Sequence, residues 1–566
     1  MNQPVPDTAS PLRVKRNRYD AIDAPRLGAW EPDAVVSVVI PAYGAQEELD
    51  VTLAALAAQS YPAALLDVVV VDDGSEPPLR LPELKPERTR IVRAPEGQWG
   101  VAAAVDFGID TAEGDVIVRL DSDVLPDRTH VEAHARWHQK IDYCVVIGNL
   151  GFVEIEAEEL DLEKVHAAVA SDAAETLFGT LEIGQSWEIS LLERTERLLE
   201  DELRAYSVTN GATISFTKAF YSRCGGIDKD LKLGSDTELG YRQAQAGAVF
   251  VPEAQARAWH LGESQLQSRN EAGKRYRQPF VANRVPTLRH LRTQPGITWR
   301  VPLVEVTVDV AEATFEQATA SVASALSGSL QDFRVLLKGP WSQLSGDRVR
   351  PLDDPQLELR LLREVFSADH RVSYVEEWPE TAAPAPFRLE LVPGTVLRPD
   401  GLRDVLAAAD KQRAGRIKFL TNAHGGTPRA VLDRTAAVSR ALATLRPDED
   451  LDQAVEEAWG LRWADGGEWF AHWEDEDLGV TPMHLLQRTA SLTAAVKRLE
   501  VKEAELRKRV TRWNRAGNAA RDEAKKWELA TRHWQRAAEA WQQEPAPRQK
   551  PQRPFLRRVK DRLRRR

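Results

Sequence analysis

The chain has 566 residues, 43% of them apolar, a net charge of −11 and two cysteines, Cys144 and Cys224. That length predicts several domains. The acidic balance argues against nucleic-acid binding by the body of the protein, and two cysteines exclude a disulfide framework. No apolar run reaches the ~20 residues of a membrane-spanning helix, and the N-terminus lacks the apolar core of a signal peptide, so the expected location is cytoplasmic or peripheral at the inner face of a membrane.

Residues 1–30 are polar with Pro and Arg, and read as a loosely ordered arm. From Val35 the chain alternates strand and helix. Val36–Ile40 reads as a strand ended by Pro41-Ala42-Tyr43-Gly44, Leu49–Gln59 as a helix, and Leu66–Val71 as a strand running into Asp72-Asp73-Gly74-Ser75. Val101–Thr111 reads as a helix, Val116–Leu120 as a strand running into Asp121-Ser122-Asp123, and a further helix starts near Arg128. Continuous β-branched runs mark strands covered on both faces, and this alternation predicts an α/β fold with a mostly parallel mixed sheet and helices on both sides. Residues 155–206 read as an acidic helical insertion before Thr209-Asn210-Gly211.

Residues 299–445 read as a second α/β module, a faded repeat of the first. In that comparison Asp72-Asp73 becomes Lys338-Gly339, and Asp121-Ser122-Asp123 becomes Pro393-Gly394-Thr395, so the copy has lost its carboxylates. A connector over 446–483 follows. Leu485, Leu492, Leu499, Leu506, Trp513, Ala520, Trp527, Trp534 and Trp541 recur every seven residues, which predicts a coiled-coil helix over 484–545 and a homo-oligomer built through it. The tail 546–566 interleaves about ten Lys or Arg with Phe555, Leu556, Val559 and Leu563, a pattern suited to peripheral contact with anionic lipid.

The acidic motifs carry the chemistry. Both apolar runs deliver carboxylates to the carboxyl edge of a parallel sheet, where open α/β folds bind ligands. Asp121 and Asp123, flanking one serine, can together hold a hard divalent cation that grips a diphosphate. Asp72 and Asp73 can accept hydrogen bonds from a base or ribose, and a strand-end Tyr43 offers a stacking face. His130, His134 and His138 lie on one helix face and are expected to pack behind the site.

Ser37-Val38-Val39-Ile40-Pro41-Ala42-Tyr43, Val71-Asp72-Asp73-Gly74-Ser75, Asp121-Ser122-Asp123 and Asp236-Thr237-Glu238-Leu239-Gly240-Tyr241-Arg242 occur in the order in which family 2 glycosyltransferases carry similar motifs. The resemblance covers about Val35 to His260. It implies a GT-A domain over 31–290 and inverting transfer from a nucleotide-diphosphate sugar to a glycan or lipid-linked acceptor. By that resemblance Pro41, Tyr43, Asp72, Asp73 and Asp121 line the nucleotide sugar, and Asp121, Asp123 and His260 hold Mn²⁺ or Mg²⁺. Asp236 stands in the position of the base that deprotonates the acceptor hydroxyl, with Glu238 its rival. Two departures stand out. The chain has Ser235-Asp236 where relatives usually have Glu-Asp, and Ala104–Gly108 where they often have an Arg-Asn pair. Arg93 or Arg119 is therefore expected to supply the missing cation.

The leading reading is a metal-dependent transferase of cell-envelope or surface glycans. The rival is a non-catalytic sugar-sensing scaffold that gathers envelope enzymes at the membrane. A nucleotidyltransferase is disfavoured, because Pro41-Ala-Tyr-Gly-Ala-Gln-Glu-Glu is acidic where a triphosphate needs a basic, Gly-rich loop.

Overall fold

The computed structural model describes residues 11–179, 181, 186–262, 269–294, 296–347, 350–420 and 427–474, and beyond these only 499, 502–511, 525–527, 530–532 and 535. The chain divides into two units, Met1–Leu486 and Gln487–Arg566. Among the described residues the first contains two large sheets and a separate two-stranded one.

The first sheet is built from β1 (Val36–Ala42), β2 (Leu66–Asp72), β3 (Arg88–Arg93), β4 (Val116–Leu120), β5 (Val124–Pro126), β6 (Cys144–Val153), β7 (Thr213–Thr217) and β8 (Val249–Leu261), in the order β3-β2-β1-β4-β7-β6-β8-β5. β1 lies parallel to both β2 and β4, with Val36 opposite Leu66 and Val116. The sense reverses at β7, which is antiparallel to β4 and β6. Helices α1 (Gln46–Leu56), α2 (Val101–Thr111), α3 (His130–His138), α4 (Leu162–Ala170), α5 (Glu175–Phe178), α6 (Ser186–Arg194), α7 (Lys218–Arg223), α8 (Ser235–Gln245) and α9 (Asn270–Arg284) complete this half.

Successive strand residues point to opposite faces. Val38 and Ile40 of β1 therefore join Leu49, Leu53 and Leu56 of α1 in one core. Val39 joins Ala104 and Val105 of α2 in another. Both faces are dry, which is why these strands read as unbroken apolar runs. The expected elements stand close to their expected ends. β3 went unanticipated, since Arg88-Thr-Arg-Ile-Val-Arg is a half-buried edge strand whose charged side chains hide its periodicity.

The second sheet is β11-β10-β9-β12-β15-β14-β16, from β9 (Val304–Asp309), β10 (Phe333–Lys338), β11 (Val372–Val375), β12 (Phe387–Leu391), β14 (Arg416–Leu420), β15 (Ala430–Arg434) and β16 (Leu461–Asp465). β13 (Thr395–Leu397) pairs separately with β17 (Phe470–His472). Around them lie α10 (Phe315–Ser327), α11 (Leu357–Phe366), α12 (Gly401–Gln412), α13 (Thr435–Ala443) and α14 (Leu451–Ala458). This module therefore ends near residue 472, not at 445. α14 and β16 fall in the stretch expected as a connector, where their short amphipathic patterns were masked by acidic residues.

The N-terminal segment departs from the expected loose arm from Pro11 onward. Val14 and Asn17 are buried, and Asn17 donates to the carbonyls of Leu198 and Phe250. Arg13 pairs with Glu449 at 2.6 Å. The segment thus runs along the seam between the two modules, where one polar side chain satisfies buried backbone that would otherwise lack partners.

The deepest seam contact is Arg440 of α13. Its guanidinium is fully buried and donates to the carbonyls of Gly247 (2.8 Å), Val14 (3.0 Å), Ala248 (2.6 Å) and Arg16. Burial pulls its pKa down to about 10, so it enters charged, held by carbonyl dipoles in place of a carboxylate.

In the second unit the expected coiled coil lies mostly outside the described residues, and the basic tail lies wholly outside them. Residues 502–511 are helical, with Arg507 paired to Glu503 one turn away. Among the described residues no helix is long and apolar enough to cross a membrane.

Candidate active site

The acidic triplet follows β4 at the carboxyl edge of the sheet and leads into β5. Because β5 pairs antiparallel with β8, Val124 lies opposite His260. That pairing brings the His260 ring beside Asp123, with Nε2 3.5 Å from Oδ2. His260 Nδ1 lies 2.9 Å from the carbonyl of Leu261. A carbonyl only accepts, so Nδ1 carries a proton, and Nε2 is the ring atom turned to the carboxylate. A ring nitrogen and a carboxylate oxygen facing each other at this distance could share a cation when the ring is neutral. Burial, with the charge of Asp121 adding to it and that of His260 opposing, pushes the Asp123 carboxyl up to about 6. Among the described residues no group of three or more His, Cys, Asp or Glu side chains converges closely enough to hold a metal ion. The side chains that could hold a cation here are this pair, with Asp121 nearby.

Asp121 is tied from behind. Arg119, 8% exposed, donates from Nη2 to Asp121 Oδ1 at 3.1 Å. Its Nε is buried without a partner among the described residues. Gly211 makes room for this guanidinium, since a Cβ there would sit 1.9 Å from Arg119 Nη1. Of the two arginines expected to supply a cation, Arg119 is the one lining the cleft.

Asp236 sits in the first turn of α8, after Gly234, whose φ of +84° suits glycine. Its Oδ1 accepts from the Thr237 N–H at 2.8 Å. Asp236, Asp121, Arg119 and His260 line one cavity of about 1300 Å³. Glu238 does not line it. Both of its oxygens are taken by Arg242, at 2.6 and 2.7 Å, on the buried side of the same helix.

The β1 and β2 ends form the neighbouring wall. Tyr43 is 72% exposed, its ring face open to solvent. Asp72 turns inward and accepts from the backbone N–H groups of Gly74, Ser75 and Leu79. Burial works against its charge, but the Ser75 hydroxyl and these N–H groups outweigh it and hold the carboxyl below its usual range. Asp72 therefore shapes the 72–79 loop, while Asp73 is the carboxylate with spare capacity. Asp73 Oδ2 accepts from Gly100 N at 2.7 Å, and Oδ1 is buried without a partner among the described residues. Pro41 lies within β1, one pair before Ala42 meets Asp72.

The three histidines of α3 form no ligand cluster. His130 and His134 share Thr213 Oγ1 at 3.1 Å each, and Ser215 Oγ bonds His134 (2.9 Å) and His138 (2.8 Å). Burial lowers all three, His130 to about 4 and His138 to about 3. They are neutral struts behind β7.

Residues 37–195 match the family model "Glycosyl transferase family 2". The chain carries a family 2 glycosyltransferase domain. It is 25% identical over 323 residues to a chondroitin synthase of Pasteurella multocida, covering 54% of this chain and 32% of that protein. It is 28% identical over 249 residues to a validoxylamine A glucosyltransferase of Streptomyces hygroscopicus, covering 42% and 55%. The chain thus spans between about a third and about half of the length of these two relatives. Among solved structures, a mannosyltransferase of Pyrobaculum calidifontis in complex with GDP-Man and Mn²⁺ aligns at 17% identity and TM-score 0.30, over 48% of this chain and 68% of that one. Residues 1–349 of S. aureus TarS with UDP-GlcNAc align at 16% and 0.29, over 40% and 59%.

The glycosyltransferase domain has one wall that its motifs do not announce. Lys274 and Arg277 of α9 line the cavity beside Asp236, and Arg277 Nη2 donates to Thr237 Oγ1 at 3.2 Å. The signal available was the run Lys274-Arg275-Tyr276-Arg277, which reads as an ordinary solvated helix face.

Proposed function

We propose that the glycosyltransferase domain transfers a sugar, with inversion, from a nucleotide-diphosphate donor to a hydroxyl of a glycan or lipid-linked acceptor, and that it uses Mn²⁺ or Mg²⁺. The observation that carries this reading is the convergence of Asp121, His260 and Asp236 on one cavity, with Asp123 facing Nε2 of His260. Asp123 and His260 would hold the cation, which would neutralise charge on the departing diphosphate. Arg119 keeps Asp121 aimed at the same region and adds positive charge at its back. Asp73 offers a free acceptor oxygen to a ribose or base N–H, and Tyr43 a stacking surface. Asp236 takes the proton of the incoming hydroxyl as its oxygen attacks the anomeric carbon from the side opposite the leaving group. Glu238 is excluded from that role by its two bonds to Arg242. A cell-envelope or surface glycan as product rests on the composition of the basic tail.

The test is a donor-hydrolysis screen across nucleotide sugars with and without Mn²⁺, run on wild type, Asp123→Ala and Asp236→Asn. One donor is expected to turn over in wild type with Mn²⁺ only, and both variants to fall by 10²-fold or more. Turnover indifferent to both substitutions would overturn the assignment.

A further inference from the structure

We infer that residues 304–472 are a second copy of the donor-binding fold whose donor site has closed, leaving one nucleotide site per chain. The inference rests on the proposed function for what that one site binds.

The correspondence goes beyond strand order. Both sheets reverse sense at the same place, β7 and β15 each being antiparallel to their two neighbours. Isolated backbone bonds recur at matching points. Asp121 N donates to Ala212 O, and Val392 N to Arg429 O, each just past the end of its strand. Val124 N reaches back to Asp121 O, and Thr395 N to Val392 O. Lys218 N donates to Asp115 O, and Thr435 N to Pro386 O. These pairs equate the triplet Asp121-Ser122-Asp123 with Val392-Pro393-Gly394, one residue earlier than sequence comparison suggests. The partner strand agrees as well: β5 sets Val124 opposite His260, and β13 sets Thr395 opposite His472. The copy has kept a histidine where the cation-facing histidine stands and lost the carboxylate it would face.

The vacated place is filled. A Cβ on Gly394, the counterpart of Asp123, would lie 2.6 Å from the Trp473 ring, so an aspartate cannot be accommodated while that indole is there. At the end of β10, where Asp72 ends β2, stands Lys338. Its ammonium bonds Asp309 at 2.9 Å and lies 5.6 Å from the centre of the Trp378 ring. Gly339, which follows Lys338 as Asp73 follows Asp72, has no side chain to accept a hydrogen bond from a ribose hydroxyl or base N–H. The cation-facing carboxylate of the first copy is therefore replaced by a ring, the loop-shaping Asp72 by a positive charge, and Asp73, the carboxylate with spare capacity, by Gly339. The copy retains a mechanical part, since Arg440 of α13 holds the carbonyls at the end of the helix that bears Asp236.

The experiment is isothermal titration of the full chain with UDP, GDP and dTDP in the presence of Mn²⁺, on wild type, Asp123→Ala and the near-isosteric Asp123→Asn, with thermal midpoints confirming that the variants fold. One nucleotide is expected to saturate at one equivalent per chain, and its affinity to fall at least tenfold in both variants. Two equivalents per chain, or one equivalent whose affinity is untouched in both variants, would overturn the inference while leaving sugar transfer standing. Binding of none of the three nucleotides would bring down both.

Discussion

Asp123 and Asp236 are both acidic, but the fold puts them to opposite uses. Asp123 is raised to about 6 because burial disfavours its charge and favours the neutral form. Without a cation, this group's contribution to stability is therefore present at low pH and is lost as pH rises through about 6. Calorimetric midpoints of the metal-free protein should reflect that loss between about pH 4 and 6, and added Mn²⁺ should restore it. Mn²⁺ affinity should fall below pH 6, where a proton competes for the carboxylate. Asp236→Asn should keep nucleotide affinity and lower kcat by about 10²–10⁴. Glu238→Gln should do the reverse, leaving kcat intact and lowering stability by about 1–3 kcal/mol through its broken pair with Arg242. Steady-state kinetics alongside urea titrations separate the two. The motif makes both carboxylates visible in sequence; the one-turn pairing of Glu238 with Arg242 explains why only one is available.

At the scale of elements, α3 and β7 act as one piece. Three neutral histidines on the helix share two hydroxyls of the strand. Their folded pKa values lie below the unfolded value of about 6.5, so the unfolded chain takes up protons first. The stability they contribute is fully present above pH 6.5 and is lost as pH falls toward 4. His130 and His138 should each remove about 2 kcal/mol by pH 5. His134→Gln should flatten that acid limb in pH-resolved urea unfolding; an unchanged limb would show that other groups set it. A four-residue spacing reveals the shared helix face. It does not reveal Thr213 and Ser215, some eighty residues away, which turn a chelating pattern into struts. The α9 wall escaped notice for a similar reason, since a basic helix looks alike whether it faces water or a cavity.

For the whole molecule, the seam is the decisive feature. Arg440 reaches four carbonyls belonging to the N-terminal segment and the loop after α8. Arg440→Met should leave these acceptors unsatisfied and lower stability by about 3–5 kcal/mol, read as an earlier urea midpoint. Because every candidate site residue lies within Met1–Leu486, a chain ending at 486 should retain donor turnover. Comparing its size in solution with that of the full chain tests the heptad segment as an oligomerisation element.

Sequence alone established the alternation of strand and helix, including the strands and helices that follow residue 299, and the carboxylates at two strand ends, because these depend on local patterns of period 2 and 3.6 and on residues adjacent in the chain. Tertiary structure decided which carboxylates are available, that the second sheet runs on to β16 and what packs against Gly394. Those outcomes depend on partners far apart in sequence: His260 across a strand pair from Val124, Arg119 above Gly211, and Trp473 against Gly394. Such pairings are set by sheet register, which no window of neighbouring residues encodes.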